Sequence, residues 1–215
     1  MEKLKEVIEI LKKEYGTHSI NERSNPLDVL VGTILSQNTT DKNSYAAFLS
    51  LKREFPTWEL VLNADLRKIQ KAIRVGGLSK IKAYRIKKAL VEIKRRNGKL
   101  SLDFLKNMPV DEAMEFLRSV EGIGPKTAGV LLLFCFNKPT MPLDTHNLRV
   151  AKRLGIIPKE MSSEKAHKLM NELVPPNEKK TLHINFILHG RKICRARNPR
   201  CSLCVLNELC DYYKS

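Results

Sequence analysis

Val120-Glu121-Gly122-Ile123-Gly124-Pro125-Lys126-Thr127-Ala128-Gly129 is a Gly-x-Gly turn that feeds directly into an apolar helix, with one lysine at the helix entrance. Glycines at 122 and 124 permit positive φ and a close approach of the backbone to a ligand. Pro125 falls at the first helical position, where a missing N–H costs nothing. The free N–H groups of that turn, at the positive end of the helix dipole, make a ready phosphate site. Lys126 stands beside that positive end, where an ammonium is disfavoured. It reads as a candidate for a lowered pKa and a nucleophilic amine. The plainer reading of the same residues is a tight turn with a solvated lysine at its edge.

Working outward, the chain is expected to be all-α. Leu4, Val7, Ile8 and Leu11 fall at i, i+3, i+4, i+7, predicting an amphipathic helix to about Tyr15, ended by Gly16 and followed by a polar stretch over 17–25. Pro26 opens a second helix with Leu27, Leu30, Val31, Ile34 and Leu35 on one side. It runs into Ser36-Gln37-Asn38-Thr39-Thr40-Asp41. Asp41 is read as the N-cap of a helix over 42–54, which leaves the adjacent amides Gln37 and Asn38 unexplained and able to read base edges. Short helices are expected from Pro56, around a core Trp58, and over 65–72. The turn Val75-Gly76-Gly77-Leu78-Ser79 carries a leucine that is either core or a wedge of the kind minor-groove proteins insert between bases.

A long helix is predicted over 79–97, with Ile86, Ala89, Leu90 and Ile93 on its buried face. Lys80, Lys82, Arg85, Lys87, Lys88, Lys94, Arg95 and Arg96 are assigned to the rest, against the single acid Glu92. That imbalance suits phosphate contacts. A helix over about 109–119 precedes the Gly122–Gly124 turn, so the arrangement around Lys126 is helix, glycine hairpin, helix. Cys135, within the apolar helix after the hairpin, reads as an inert core thiol. Asp144, in Leu143-Asp144-Thr145-His146, is placed as the N-cap of the next helix. A further helix carries Ala166, Leu169, Met170 and Leu173, and a last one spans 179–191 with His183 and His189.

The chain has 215 residues, 42% of them hydrophobic, which is enough for a real core and excludes a disordered chain. Lys+Arg outnumber Asp+Glu by 39 to 23, giving +16. Together with the basic helix, that points to a polyanionic partner. The longest uncharged apolar run, 128–136, is far short of a spanning helix. No apolar signal segment follows Met1, so an intracellular location in cytoplasm or nucleoid is expected. In such a compartment the five cysteines are not a disulfide framework. Cys194, Cys201, Cys204 and Cys210 read C-x6-C-x2-C-x5-C, which suits one tetrahedral zinc or one cubane iron–sulfur cluster. The wide first and last loops favour the larger object. Arg195, Arg197 and Arg200 sit in the first loop, so the cysteines form a staple presenting basic side chains.

Gly-x-Gly-x-Lys, then Leu-Asp-Thr-His, then C-x6-C-x2-C-x5-C is an order that resembles the endonuclease III family of DNA glycosylases, the helix–hairpin–helix group with a terminal 4Fe–4S cluster. The likeness runs from the first helix to Cys210. It implies a two-domain all-α fold: a six-helix domain over about 24–138, and a discontinuous domain joining 1–23 to 139–215, with DNA lying across the cleft between them. It implies that Lys126 is the nucleophile, Asp144 the essential aspartate and the four cysteines the cluster ligands. Gly122, Ile123, Gly124 and Thr127 would grip the DNA backbone. Leu78 would be the wedge, and Gln37 or Asn38 would fill the gap left by an extruded base. His146, Arg195 and Arg197 would add DNA contacts.

The chain departs from the family pattern at Val120-Glu121, where Leu-Pro is usual, and at Pro125, where a basic residue is common. The activity implied is a bifunctional DNA glycosylase and AP lyase acting as a monomer on duplex DNA with damaged bases, oxidised pyrimidines first, or abasic sites. A monofunctional mismatch glycosylase is the rival enzyme reading, against which Lys126 argues. An iron–sulfur DNA-binding regulator is the non-enzyme rival, and neither a helix-turn-helix nor a heptad signal supports it.

Overall fold

The computed structural model of the chain describes residues 2–19 and 25–214. Among the described residues every regular element is helical. In chain order the helices are α1 (Glu2–Tyr15), α2 (Pro26–Leu35), α3 (Asp41–Glu54), α4 (Trp58–Asn63), α5 (Leu66–Ala72), α6 (Ser79–Asn97), α7 (Val110–Arg118), α8 (Pro125–Phe136), α9 (Thr145–Arg153), α10 (Ser163–Leu173), α11 (Lys179–Lys192) and α12 (Asp211–Lys214). Short 3-10 turns stand at Arg74–Gly76, Asp103–Lys106, Cys201–Leu203 and Asn207–Leu209. The chain divides into two compact units, Glu22–Phe136 and the discontinuous pair Met1–Asn21 with Asn137–Ser215. The expected boundary at 23/24, and part of the polar stretch over 17–25, lie outside the described residues.

The Glu22–Phe136 unit closes around an aliphatic core. Leu30, Ile34 and Leu35 of α2 meet Ile86, Leu90 and Ile93 of α6 and Leu131 and Leu132 of α8 in one cluster. Burying side chains of this size stabilises the unit by about 1.5–3 kcal/mol each. Trp58 is core, as its apolar surroundings predict, and its indole N–H donates to Asp28 Oδ1 at 2.8 Å. Gly98, at φ 72, ends α6 in the left-handed conformation that glycine tolerates best.

The discontinuous unit packs α1 against α11, with Leu4, Val7, Ile8 and Leu11 in a cluster that includes Met141, Val150, Met170 and Phe186. Polar side chains on α11 take part. Asn185 Nδ2 donates to the carbonyls of Leu11 (3.2 Å) and Gly16 (3.1 Å), and its Oδ1 meets His18 Nε2 at 2.8 Å. His183 Nδ1 bonds the Pro142 carbonyl at 2.8 Å, and His189 Nδ1 meets the Tyr15 hydroxyl at 3.1 Å. Both histidines are packed inside.

Several expectations are corrected. Thr40, not Asp41, caps α3: its hydroxyl accepts from the Asn43 N–H, and Asp41 becomes the first helical residue, where a carboxylate still suits the dipole. The helix after Pro56 begins two residues later, at Trp58, with Thr57 as its cap. Helix α11 is not the last, since α12 comes after the cysteines. Lys82 is not on the solvated face of α6; it is 1% exposed, because its ammonium fills a site between two backbone carbonyls.

Candidate active site and iron–sulfur centre

The hairpin is built from main-chain geometry. Val120 and Ile123 are buried and anchor the turn on the core, and the Ile123 N–H donates to the Val120 carbonyl at 3.0 Å. Gly122 takes φ 89. A Cβ there would lie 3.2 Å from Cβ and Cγ of Arg85, so both conformation and space require glycine. Gly124 differs from expectation: its φ is not positive, and a Cβ would meet nothing within 4 Å. Its usefulness is the open space it leaves in front of α8.

Helix α8 starts at Pro125, and Lys126, half-buried, is its second residue. Thr127 is 3% exposed, so it is buried and its side chain does not reach solvent. Burial pushes the Cys135 thiol up to about 12, in keeping with an inert residue.

Leu78 stands at φ 47 between Gly77 (φ 68) and α6, and is 51% exposed. Asn38 is also left-handed, at φ 50, and exposed. Gln37 is different. Its Oε1 accepts a 2.6 Å hydrogen bond from Arg85 Nη1, which ties it to α6.

Asp144 caps α9 as predicted. Its Oδ1 accepts from the Asn147 N–H at 2.8 Å and from Asn147 Nδ2 at 2.9 Å. Burial pushes the Asp144 carboxyl up, but the two Asn147 bonds, with smaller contributions from His183 and His146, outweigh it and hold the pKa below the ordinary 3.8. The group is therefore a fixed carboxylate with one oxygen committed to Asn147. Asn147 is fully buried, and its own Oδ1 has no hydrogen-bond partner among the described residues. His146 Nδ1 lies 2.9 Å from Arg149 Nη2; since guanidinium only donates, Nδ1 accepts.

The cysteine segment hangs from α9. Arg149 Nε donates to the Cys194 carbonyl at 2.8 Å and Nη2 to the Gly190 carbonyl at 2.9 Å. Arg153 Nη1 donates to the Arg195 carbonyl at 2.7 Å and to Cys194 Sγ at 3.4 Å, while its guanidinium lies 4.4 Å over the Tyr212 ring. Arg195, Arg197 and Arg200 are exposed. Cys194, Cys201, Cys204 and Cys210 line one pocket with Arg153 and His189, enclosing about 360 Å³ of atom-free space that opens partly to solvent. Among the described residues no three His, Cys, Asp or Glu side chains meet around a point as a single ion requires. Four sulfur donors spread round a shared hollow suit a multi-atom cluster held by thiolates.

Asn147, Arg149, Arg153, Arg85 and Lys82 were missing from the sequence-derived site. Asn147 had a signal: a polar residue three after an N-cap is placed to answer it. Lys82 and Arg85 were read only as part of the basic run over 79–97 that suits phosphate contacts, and Arg149 and Arg153 had no signal, because on a basic chain each reads as one more solvated charge.

Residues 31–176 match the family model for HhH-GPD superfamily base excision DNA repair proteins, and residues 194–210 match the iron–sulfur binding domain of endonuclease III. A candidate DNA glycosylase of Arabidopsis thaliana is 41% identical over 184 residues, covering 86% of this chain; the chain spans 62% of the plant protein's length. Endonuclease III of Sulfolobus acidocaldarius is 35% identical over 214 residues, covering 98% of this chain and 93% of the relative. Among solved structures, a non-covalent complex of endonuclease III with DNA superposes with a TM-score of 0.84 at 27% identity, covering 99% of this chain and 96% of the other.

Proposed function

Because the chain belongs to the HhH-GPD superfamily of base excision DNA repair proteins and, within it, to the endonuclease III family, we propose that it is a bifunctional DNA glycosylase and AP lyase whose nucleophile is Lys126. The observation that carries this reading is the placement of Lys126 on the first turn of α8, directly behind the Gly122–Gly124 turn. A phosphate held by the free N–H groups of that turn brings the sugar of a flipped nucleotide to the amine.

The lysine, as free amine, attacks C1′ while the C1′–N bond to the base breaks and the base departs with the bonding pair. Ring opening gives a Schiff base. Loss of a proton from C2′ then expels the 3′ phosphate by β-elimination, and water releases the lysine. Asp144, kept ionised by Asn147, steadies the positive charge that develops at the sugar.

Leu78 enters the stack as a wedge. Of the two adjacent amides, the Arg85 bond holds Gln37 back, which favours Asn38 as the residue that fills the gap. Main-chain groups of Gly122, Gly124 and Thr127 hold the backbone, with His146, Arg195 and Arg197 as further contacts. Cys194, Cys201, Cys204 and Cys210 hold the iron–sulfur cluster, which, when bound, supplies a rigid staple for the arginine loop. Oxidised pyrimidines are the substrate class we assign, on duplex DNA, with the protein acting as a monomer in the cytoplasm or nucleoid.

Borohydride trapping on a duplex with one abasic site tests the proposal. The parent chain forms a covalent adduct; Lys126→Ala forms none while retaining duplex affinity within roughly tenfold, since phosphate contacts supply most of the binding. Trapping by Lys126→Ala at the parent rate overturns the assignment. A panel of lesion duplexes with the same readout ranks the substrates.

A further inference from the structure

Lys82 is among the largest fully buried side chains of the chain, at 1% exposure. A buried ammonium is costly unless hydrogen-bonded. Its bonds go to two backbone carbonyls, Leu35 and Gly76, each at 2.7 Å. Both carbonyls stand at helix C-termini. Leu35 is the last residue of α2, and Gly76 the last of the Arg74–Gly76 turn. Terminal carbonyls lack an intrahelical donor and carry the negative end of the dipole, so one cation caps two helix ends at once. The backbone N–H of Lys82 also donates to the Leu78 carbonyl at 3.0 Å.

Each capped end leads directly into a residue assigned to the duplex. Three residues after Leu35 comes Asn38, and two residues after Gly76 comes Leu78, both left-handed and exposed. Packing holds the Arg74–Gly76 turn on α3, where Gly76 lies against Ala47, but beyond each capped end the chain continues through glycine or polar residues. A lysine spanning both ends fixes the bases of the two segments to one nitrogen. Arg85, one turn along α6, adds a second tie through Gln37 and lays its aliphatic stem against Gly122.

We propose that Lys82 is a positioning residue that couples Asn38 to Leu78, holding the two residues that enter the duplex at a fixed separation so that gap filling and wedging occur together. The inference rests on the assignment of Leu78 and Asn38 to the extrusion step. A coupling of this kind matters for duplex DNA, where a base must leave a stack, and is irrelevant for a single strand, where it need not.

The test is the ratio of borohydride-trapping rates on one abasic site presented in a duplex and in the same single strand, measured for the parent chain, Leu78→Ala, Lys82→Met and the double variant. Lys82→Met keeps volume and burial and removes the ammonium. It is expected to lower the ratio by about 10- to 100-fold, the scale of a misplacement near 1 Å, and to add little on top of Leu78→Ala. An unchanged ratio in Lys82→Met, with Leu78→Ala impaired, overturns the coupling alone, whether both rates fall together or neither does. An unchanged ratio in Leu78→Ala overturns the reading of Leu78 and the coupling with it. Should Lys82→Met not fold, Lys82→Gln, which keeps N–H donors one atom short, serves in its place: a lowered ratio supports the coupling and an unchanged one overturns it.

Discussion

In the Glu22–Phe136 unit, α6 turns Ile86, Ala89, Leu90 and Ile93 to the core, and Lys82 is the charged side chain buried with them. In the discontinuous unit, α11 buries Thr181, His183, Asn185 and His189 beside Leu182 and Phe186. The first helix meets nearer neighbours, Leu35 lying 47 residues before Lys82, and its core contact apart from Lys82 is aliphatic. The second must also find α1, whose contacts with it lie up to 174 residues away, and there Asn185 addresses the carbonyls of Leu11 and Gly16 while His189 meets the Tyr15 hydroxyl. Aliphatic surfaces tolerate repacking with only modest loss, whereas a buried amide fits one register or leaves orphaned partners. Where the chain closes on itself over a long distance, hydrogen bonds specify the match.

The strongest way to break this comparison is Asn185→Ala. It leaves the Leu11 and Gly16 carbonyls and His18 without their partner, and is expected to cost about 3 kcal/mol in denaturant unfolding. Ile86→Val in α6 is expected to cost about 1 kcal/mol. Equal losses would mean that the polar contacts of α11 are incidental.

Next comes the hairpin. Gly122→Ala meets both a positive φ and the Arg85 stem, and should destabilise the chain by about 2 kcal/mol. Gly124→Ala meets neither, and should leave stability within about 0.5 kcal/mol while weakening duplex binding about tenfold, or ~1.4 kcal/mol. A stable Gly122→Ala would show that the turn relaxes more easily than its geometry implies.

The smallest effect is expected from Asn147→Leu. The carboxyl of Asp144 is held below its usual value in the folded state, so its contribution to stability is present above that value and lost as pH falls through the lowered one. Leucine keeps the backbone N–H bond to Asp144 Oδ1 but removes the larger, side-chain one, so the pKa rises and the acid limbs of both unfolding and trapping should move to higher pH. Coincident acid limbs for parent and variant would count against Asn147 as the cause.

Much of this was legible in the residues alone. Periodicity placed α1, α2, α6 and α9, because their apolar stripes are regular and their ends carry Pro, Gly or Asp. The cysteine spacing pointed to the cluster segment, and Asp144 declared itself as a cap. Lys82 was illegible for a physical reason: its partners, the carbonyls of Leu35 and Gly76, are backbone atoms that leave no mark in residue type. The φ of Gly124 was equally hidden, since a glycine announces permission for positive φ and not its use. Thr40 won the cap from Asp41 by one residue, a contest between two good capping side chains that sequence does not decide.

The discontinuity of the second unit also imposes an order on synthesis. Helix α1 leaves the ribosome with its stripe of Leu4, Val7, Ile8 and Leu11 facing water, while the carbonyl of Leu11 waits for an amide 174 residues downstream. At translation speeds of about 5–20 residues per second, that wait lasts roughly 10–35 s. The Glu22–Phe136 segment emerges whole within the interval. The residues of one compact unit are therefore all synthesised while the apolar stripe of α1 still awaits its cover.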